Sequence, residues 1–387
     1  MKIPIIYSIR SVLHRPGTSI ATAVGVAFVV VTFVGMLALA NGFRAALVST
    51  GRPDNLFVLR KGADNEISSG ISRDQAAILR SLPEIAKLPD GRPAATADVY
   101  VVISKPRLNG TETHMPVRGV GPEATAVRDK VRLTEGRMFE PGRGEVIVGK
   151  GMVGRMRDTN LGDKLRFGQQ DFTVVGHFEA DGSAYESEVW GDAESMMNVF
   201  RGPIYQSMTL RLADPQAYDA VKARIEAEPR LQHQVKRESD FFAEQANLLE
   251  NVLRFIAFFV TSIMAVGAVF GAINTMDAMV AARGREIALL QTLGFKPGNV
   301  MASFLLEAVF LALIGGLLGC LISLPINGIQ TSTTNWQSFG ELTFAFRITP
   351  LILLQGLIFA AFMGLVGGLL PARRASRQVV ATGLRRE

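Results

Sequence analysis

Few strings in this sequence combine residue types and spacing that could do chemistry. "GEVIVGKG", residues 144–151, has the GxxxxGK spacing of a loop whose backbone N–H groups cradle phosphates. Its last position is Gly151, where a Ser or Thr hydroxyl would have to hold Mg²⁺, and Glu145 to Val148 alternate like a strand. No nucleotide site is expected there. The four histidines, His14, His114, His177 and His233, stand singly, without metal-ligand spacing, and neither GxSxG nor HExxH occurs. Carboxylate pairs such as Glu186 and Glu188 read as solvated strand or loop residues rather than as an acid/base pair. The chain is therefore read as non-enzymatic, with no metal and no cofactor of its own.

Polar residues beside long apolar runs carry more information. Asn274, Asp277 and Glu307 are the main ones. A buried acid in such a place is functional or paired. Glu307 is read both ways, as an intramembrane acid with a task or as the partner of Arg283 or Arg285. "RGREIALLQTLGF", residues 283–295, puts three charges between two apolar runs. If helical, Ile287, Leu290 and Leu293 fall near one face, and Arg283, Arg285 and Glu286 remain polar. Gly294 and the following Lys-Pro-Gly, residues 296–298, end it. Two readings stay open: a surface helix that anchors helix ends, or a helix whose apolar side enters a groove of a cytoplasmic partner, charges at the rim.

The elements that position these residues are apolar. Residues 18–41, 255–276, 308–339 and 348–372 carry no charge. Each run reaches the roughly 20 residues needed to cross a ~30 Å hydrocarbon core. Four transmembrane helices are expected; the first is too long for the apolar part of a signal peptide. Lys2, Arg10, Arg15, Arg283, Arg285, Lys296, Arg373, Arg374, Arg377, Arg385 and Arg386 gather on one side. That side is cytoplasmic by the positive-inside rule, which puts both termini inside the cell. The same collar accounts for the net charge of +6, so nucleic acid is not an expected partner and membrane lipid is. Gly267 and Gly271, Gly315 and Gly319, and Gly364 and Gly368 each share a helix face at a spacing of four, which predicts close, dry helix packing. An ion channel or hydrophilic pathway is not expected.

These signals divide the chain. Residues 1–17 read as an interfacial amphipathic helix, 18–42 as the first span, 43–250 as an external domain with stalk ends, and 251–281 as the second span. Residues 282–299 form the charged cytoplasmic segment, 300–329 the third span, 330–347 a short polar external loop, 348–371 the fourth span, and 372–387 a basic tail. The external insert has 28 Lys/Arg against 30 Asp/Glu between positions 43 and 250, ordinary for a soluble domain. Short β-rich runs ("NLFVL", "DVYVVIS", "EVIVG", "DFTVVGHF", "QSMTLRL") alternate with helical ones capped at Ser72 and Asp214, so a mixed α/β fold is predicted. "ESDFFAEQANLLENVLRF" runs into the second span without a breaker. The single cysteine, Cys320, lies in the third apolar run and reads as packing, so the insert has no disulfide.

At this point the sequence resembles the MacB/LolC/FtsX-type ABC permeases. Arg283, Arg285, Glu286, Ile287, Leu290, Leu293 and Gly294 agree with their coupling pattern R-T-R-E-I-G-x-L-R-A-L-G, while Gly284, Ala288, Gln291 and Thr292 depart from it. "NTM" at 274–276, "LLEAVFLALIGGLLG" with Glu307, and the tail "PARRASRQVVATGLRRE" extend the resemblance. "GRMFEPGRGEVIVGKGMVGRM" and "LGDKLRFGQQDFTVVGHFEADGSAYESEVWGD" are similar to a MacB-like periplasmic core domain. The resemblance implies a permease subunit that pairs with a second copy, as homodimer or heterodimer, and with a cytoplasmic ABC ATPase dimer that binds ATP and Mg²⁺. It implies that the coupling segment docks that ATPase and that the helices pass its motion to the periplasmic domain. The implied task is export or extraction of an amphipathic lipid, lipoprotein, peptide or drug, with a periplasmic adaptor as a further partner. The alternative within the resemblance is FtsX-like control of a cell-wall hydrolase without transport.

Overall fold

The computed structural model describes residues 16–200 and 202–377 of the 387-residue chain. The interfacial helix expected over residues 1–17 lies outside the described residues up to position 15, as does the basic tail beyond residue 377. The helices are α1 (Pro16–Thr50), α2 (Arg73–Arg80), α3 (Ala124–Val127), α4 (Ala193–Phe200), α5 (Tyr218–Ala227), α6 (Glu238–Ala282), α7 (Gly284–Thr292), α8 (Pro297–Ser323) and α9 (Pro350–Ser376). The strands are β1 (Asn55–Arg60), β2 (Ile71–Ser72), β3 (Ala95–Pro106), β4 (Glu112–Val120), β5 (Arg132–Gly136), β6 (Glu145–Gly149) and β7 (Lys164–Phe167). They continue with β8 (Gln170–Glu179), β9 (Val189–Asp192), β10 (Ile204–Tyr205), β11 (Ser207–Arg211), β12 (His233–Arg237), β13 (Gln330–Thr334) and β14 (Glu341–Ala345). Two compact units result: residues 42–250 with 329–345, and residues 16–41, 251–328 and 346–377.

The first unit is a mixed α/β domain. Its ten-stranded sheet has the order β12-β1-β11-β3-β4-β9-β6-β8-β5, with β7 on β8. Alternation along the strands builds two different faces. Leu56 and Val58 of β1 join Leu79 of α2, Met196 of α4 and Val221 and Ile225 of α5 in one apolar core. Phe57, between them, points the other way and stacks on Phe241 of α6, ring centroids 4.3 Å apart. The string at 144–151 is strand and turn: Val146, Ile147 and Val148 are fully buried between β8 and β9, and Lys150 reaches Glu179 at 3.2 Å. Ser72 caps α2 in a reciprocal capping box with Gln75, and Asp214 accepts from Gln216 N–H ahead of α5.

Residues 330–347 do not form the expected loop. β13 pairs with β14 as an antiparallel hairpin, and the hairpin belongs to the α/β unit. The buried Glu341 carboxylate accepts from Thr113 Oγ1 at 2.5 Å and from Arg107 Nη2 at 2.9 Å. Arg155 donates to Ser332 Oγ at 2.9 Å, and Thr343 N–H to Ser187 Oγ at 2.8 Å. These partners lie more than 150 residues away in sequence, so the polar composition of the segment read as solvated.

His233, on edge strand β12, is buried, and neither ring nitrogen has a hydrogen-bond partner among the described residues. Burial pushes its pKa down to about 4. The unfolded chain therefore binds a proton that the folded one refuses. This contribution to stability is complete above the ordinary histidine value of ~6.5 and is lost as pH falls toward 4. On the order of 3 kcal/mol should disappear over that window. The thermal unfolding midpoint should fall accordingly, and His233→Leu should flatten the slope. An equal acid slope in the variant would assign the loss to other groups.

The second unit is helical. Among the described residues four helices, α1, α6, α8 and α9, are long and apolar enough to cross a membrane. Glycine lets two pairs of them approach closely. A Cβ on Gly315 or Gly319 would stand 2.5 or 2.8 Å from the carbonyl oxygens of Ala23 and Ala27 on α1. One on Gly364 or Gly368 would meet Ala312 or Ala308 of α8 at 2.7 or 2.5 Å. Gly267 and Gly271 correct the expectation: nothing lies within 4 Å of either, because their face of α6 has no neighbour among the described residues of this unit. It is Gly367, outside the four-spaced pairs, that seats α9 on Ala272 of α6. Cys320 is buried among Val30, Val34 and Ile352, as packing requires.

Candidate functional site

The segment at 283–295 is built by two interruptions of an otherwise helical path. α6 ends at Ala282, Arg283 leaves helical geometry, and α7 begins at Gly284. Its other end is a Schellman motif: Gly294 N–H donates to Gln291 O and Phe295 N–H to Leu290 O, with Gly294 at φ +89°. Gly294 supplies the left-handed conformation that a side chain would strain. Lys296 then caps α8, with Pro297 at its first position. The result is a nine-residue helix held apart from both neighbours.

Its faces differ from the expected ones. Ile287, 1% exposed, packs inward with Met276, Met279, Val300 and Phe304, and Ala288 is buried beside it. Leu290 is half-buried. The outward apolar residues are Leu293, 65% exposed, which the sequence pattern named, and Leu289, 57% exposed, which it did not. Arg285 and Glu286 are exposed at the N-terminal end of the same helix. Burial removes Ile287 from any docking face, because α7 already spends that side on its own chain. The spacing of Leu289 and Leu293, four apart, was the signal that could have found the outer pair.

The polar residues nearby are brought together in pairs. Glu307, buried on α8, accepts from Arg283 Nη1 at 3.0 Å, so of the two readings the structure makes it an ion-pair partner. Asp277 pairs with Arg374 of α9, and Gln291 donates to the Ser376 carbonyl at 3.4 Å. Asn274 is exposed on α6. Arg283 also stands 3.9 Å from Glu286. The C-terminal end of α6 is thereby tied by charge to α8 and to α9, and α9 to α7 by the Gln291 hydrogen bond.

A second polar centre, in the α/β unit, was not anticipated. Arg118 of β4 is buried and donates to both oxygens of Glu66 at 2.7 and 3.0 Å and to both oxygens of Glu188 at 2.7 and 2.8 Å. Asp98 stands 3.3 Å from it and also pairs with the buried Arg128. Glu188 was expected to be solvated and is 5% exposed; Glu186 instead accepts from the backbone N–H groups of Ala180 and Gly182. Glu238, the first residue of α6, accepts from Tyr185 OH, Asn55 Nδ2 and the Arg52 backbone N–H. Burial pushes the Glu238 carboxyl above the ordinary carboxylate range, against the pull of Arg128. His177, by contrast, bonds Thr159 O at 2.8 Å and Glu135 at 3.2 Å, and His114 is exposed. No group of three or more His, Cys, Asp or Glu with the arrangement of a metal site occurs among the described residues.

Comparison with known proteins places this architecture. The family model described as the MacB-like periplasmic core domain matches residues 19–228, and that of the FtsX-like permease C-terminal region matches residues 258–380. The macrolide export ATP-binding/permease protein MacB of Bordetella avium is 26% identical over 97% of this chain and 58% of its own length. MacB 1 of Yersinia pestis is 30% identical over 60% of this chain and 36% of its own. The match thus spans 58% of the first relative's length and 36% of the second's. The crystal structure of the periplasmic region of MacB from Actinobacillus actinomycetemcomitans aligns with 52% of this chain and 95% of its own at 13% identity, with a TM-score of 0.38. With one family model covering more than half of the chain and the second covering α8, α9 and the segment between α6 and α8, this chain belongs to the MacB/FtsX-type ABC transporter permeases.

Proposed function

We propose that the chain is the permease subunit of a mechanotransmission complex that works on an amphipathic substrate (lipid, lipoprotein, peptide or drug) outside the membrane. Spans at 18–42, 251–281, 300–329 and 348–371 cross the bacterial inner membrane with both termini cytoplasmic. The α/β unit is inserted between the first and second spans on the periplasmic side, where an adaptor protein would meet it. Two copies form the working dimer. A separate cytoplasmic ABC ATPase dimer binds ATP and Mg²⁺, and α7 docks it.

One observation carries this reading. α7 is fixed by its buried side while Leu289, Leu293, Arg285 and Glu286 face outward, and it sits at the end of α6, one unbroken helix of 45 residues that begins at Glu238 beside the sheet. A displacement of α7 would be passed along that helix. The dry glycine contacts of the helical unit support work done outside the bilayer rather than conduction through it.

Two measurements test the proposal. Asn109→Cys, in the exposed β3–β4 turn, should react with an impermeant thiol reagent in intact spheroplasts, and Lys296→Cys only after lysis; the native Cys320 is buried. The reverse pattern would refute the orientation. The purified chain should hydrolyse no ATP above background, and hydrolysis should appear only with the cognate ATPase added. Turnover by the chain alone, abolished by Lys150→Ala, would overturn the division of labour.

A further inference from the structure

The α/β unit holds a concavity that the transport reading does not use. Trp336 and Phe339, from the turn of the β13–β14 hairpin, line a cavity of about 360 Å³ together with Asp64, Lys236 and Glu244. That volume falls in the range of small-molecule sites, ~300–1,000 Å³. Trp336 is 51% and Phe339 58% exposed, two large apolar surfaces within four residues that no described residue of this unit covers.

The turn that presents them is fixed. Buried Asn335 donates from Nδ2 to Oε1 of the buried Gln245 at 3.1 Å; its N–H donates to Gly340 O at 2.9 Å, and its Oδ1 accepts from Gln337 N–H at 3.0 Å. Phe339 is held at φ +56°, a conformation that bulky side chains rarely adopt. Backbone of this kind persists only where its surroundings over-determine it, and it gathers at ligand clamps.

Charge selects the ligand. Lys236 is engaged by Glu244. Asp64 has neither an ion pair nor a hydrogen bond donated to its carboxylate among the described residues, which leaves the lining one uncompensated negative charge beside two aromatic side chains. Aromatic faces are the negative side of the ring quadrupole and attract cations. We propose that this cavity binds a lipophilic organic cation, an amine or quaternary ammonium on an apolar body. The body lies against Trp336 and Phe339, and the charge faces Asp64. The proposal does not rest on transport: binding requires neither the ATPase nor motion of the helices.

The full chain in lipid nanodiscs can be titrated with phenylbutyltrimethylammonium and, in parallel, with phenylbutanesulfonate, which keeps the body and reverses the charge. Trp336 reports directly, because the only other tryptophan, Trp190, is fully buried. The cation should give a saturable change in emission at one site per chain, and the sulfonate none. Asp64→Asn, read by emission, and Trp336→Ala, read by equilibrium dialysis, should each weaken binding about tenfold, the scale of one cation–π or charge contact. Both side chains are exposed, so thermal midpoints should not move. Uptake no greater than by empty nanodiscs, equal binding of the sulfonate, or affinity indifferent to both substitutions would each overturn the proposal. None of these outcomes bears on ATPase docking.

Discussion

Arg118→Ala should lower the thermal midpoint of the α/β unit by roughly 10 °C, from a loss of about 3–5 kcal/mol. The reason is asymmetry. The intact guanidinium is planar and donates to two carboxylates held on the two edges that share Nη2, a geometry that Lys cannot reproduce. Its own attraction is offset by the desolvation of all partners, so the assembled network contributes little net stability. Removing the cation is a different matter. Glu66, Glu188 and Asp98 would then face one another out of water, with Arg128 the one cation among the described residues still paired with Asp98. Arg118→Lys should fall between the two, since one ammonium cannot serve both carboxylates in a bidentate way. Unfolding followed through the buried Trp190, which donates to Glu188, reads the unit directly. A shift below about 2 °C for Arg118→Ala, under ~1 kcal/mol, would mean that water reaches these carboxylates.

The second large effect concerns α7. Leu289→Asp with Leu293→Asp should release the ATPase while leaving the helical unit folded. A leucine buried in a partner groove contributes about 1.5–3 kcal/mol, and each 1.4 kcal/mol is about a decade of affinity. Losing two, with charge placed in an apolar groove, should take the complex below any concentration at which it co-purifies. Glu286→Arg should weaken docking as well, more than an isolated solvent-exposed charge would. Ile287→Ala is the control. Its side chain packs against Met276 and Phe304, so it should cost the fold about 2–4 kcal/mol, with docking affected only through that loss. Retention of the ATPase at wild-type stoichiometry by the double aspartate variant would make α7 a surface anchor and end the docking proposal.

How much of this was legible in the sequence depended on the range of the signal. Alternation is local, so β1, β3, β6, β8 and β11 stood out, as did the caps at Ser72 and Asp214. The short strands β9 and β12 and the proline-bearing β4 did not. Helical periodicity placed an apolar stripe on residues 287–293 but could not tell which side the chain would cover itself. Ile287 turned inward because α6, α8 and α9 offered it a surface, and Leu289 was left outside. The same limit applied to glycine: spacing by four marks a face, and only packing decides that Gly315 and Gly364 meet a helix while Gly267 does not. The Arg118 network was invisible for a stronger reason. Its carboxylates lie at positions 66, 98 and 188, each unremarkable alone, and no spacing rule links them.

The β13–β14 hairpin has a consequence for the order of events during synthesis. Arg107 and Thr113 are made early, yet the carboxylate that engages them belongs to Glu341, and Asn335 likewise arrives long after Gln245. The ribosome must add the rest of α6, then α7 and α8, before either latecomer exists. At about 5–20 residues per second, the ninety-odd residues from Glu250 to Glu341 occupy roughly 5–20 s. For that interval Arg107, Thr113 and Gln245 lack these partners, and the nascent domain should be the more open to proteases. The hairpin acts as a late latch, and a chain arrested before residue 330 should yield a domain that proteases cut and the finished one resists.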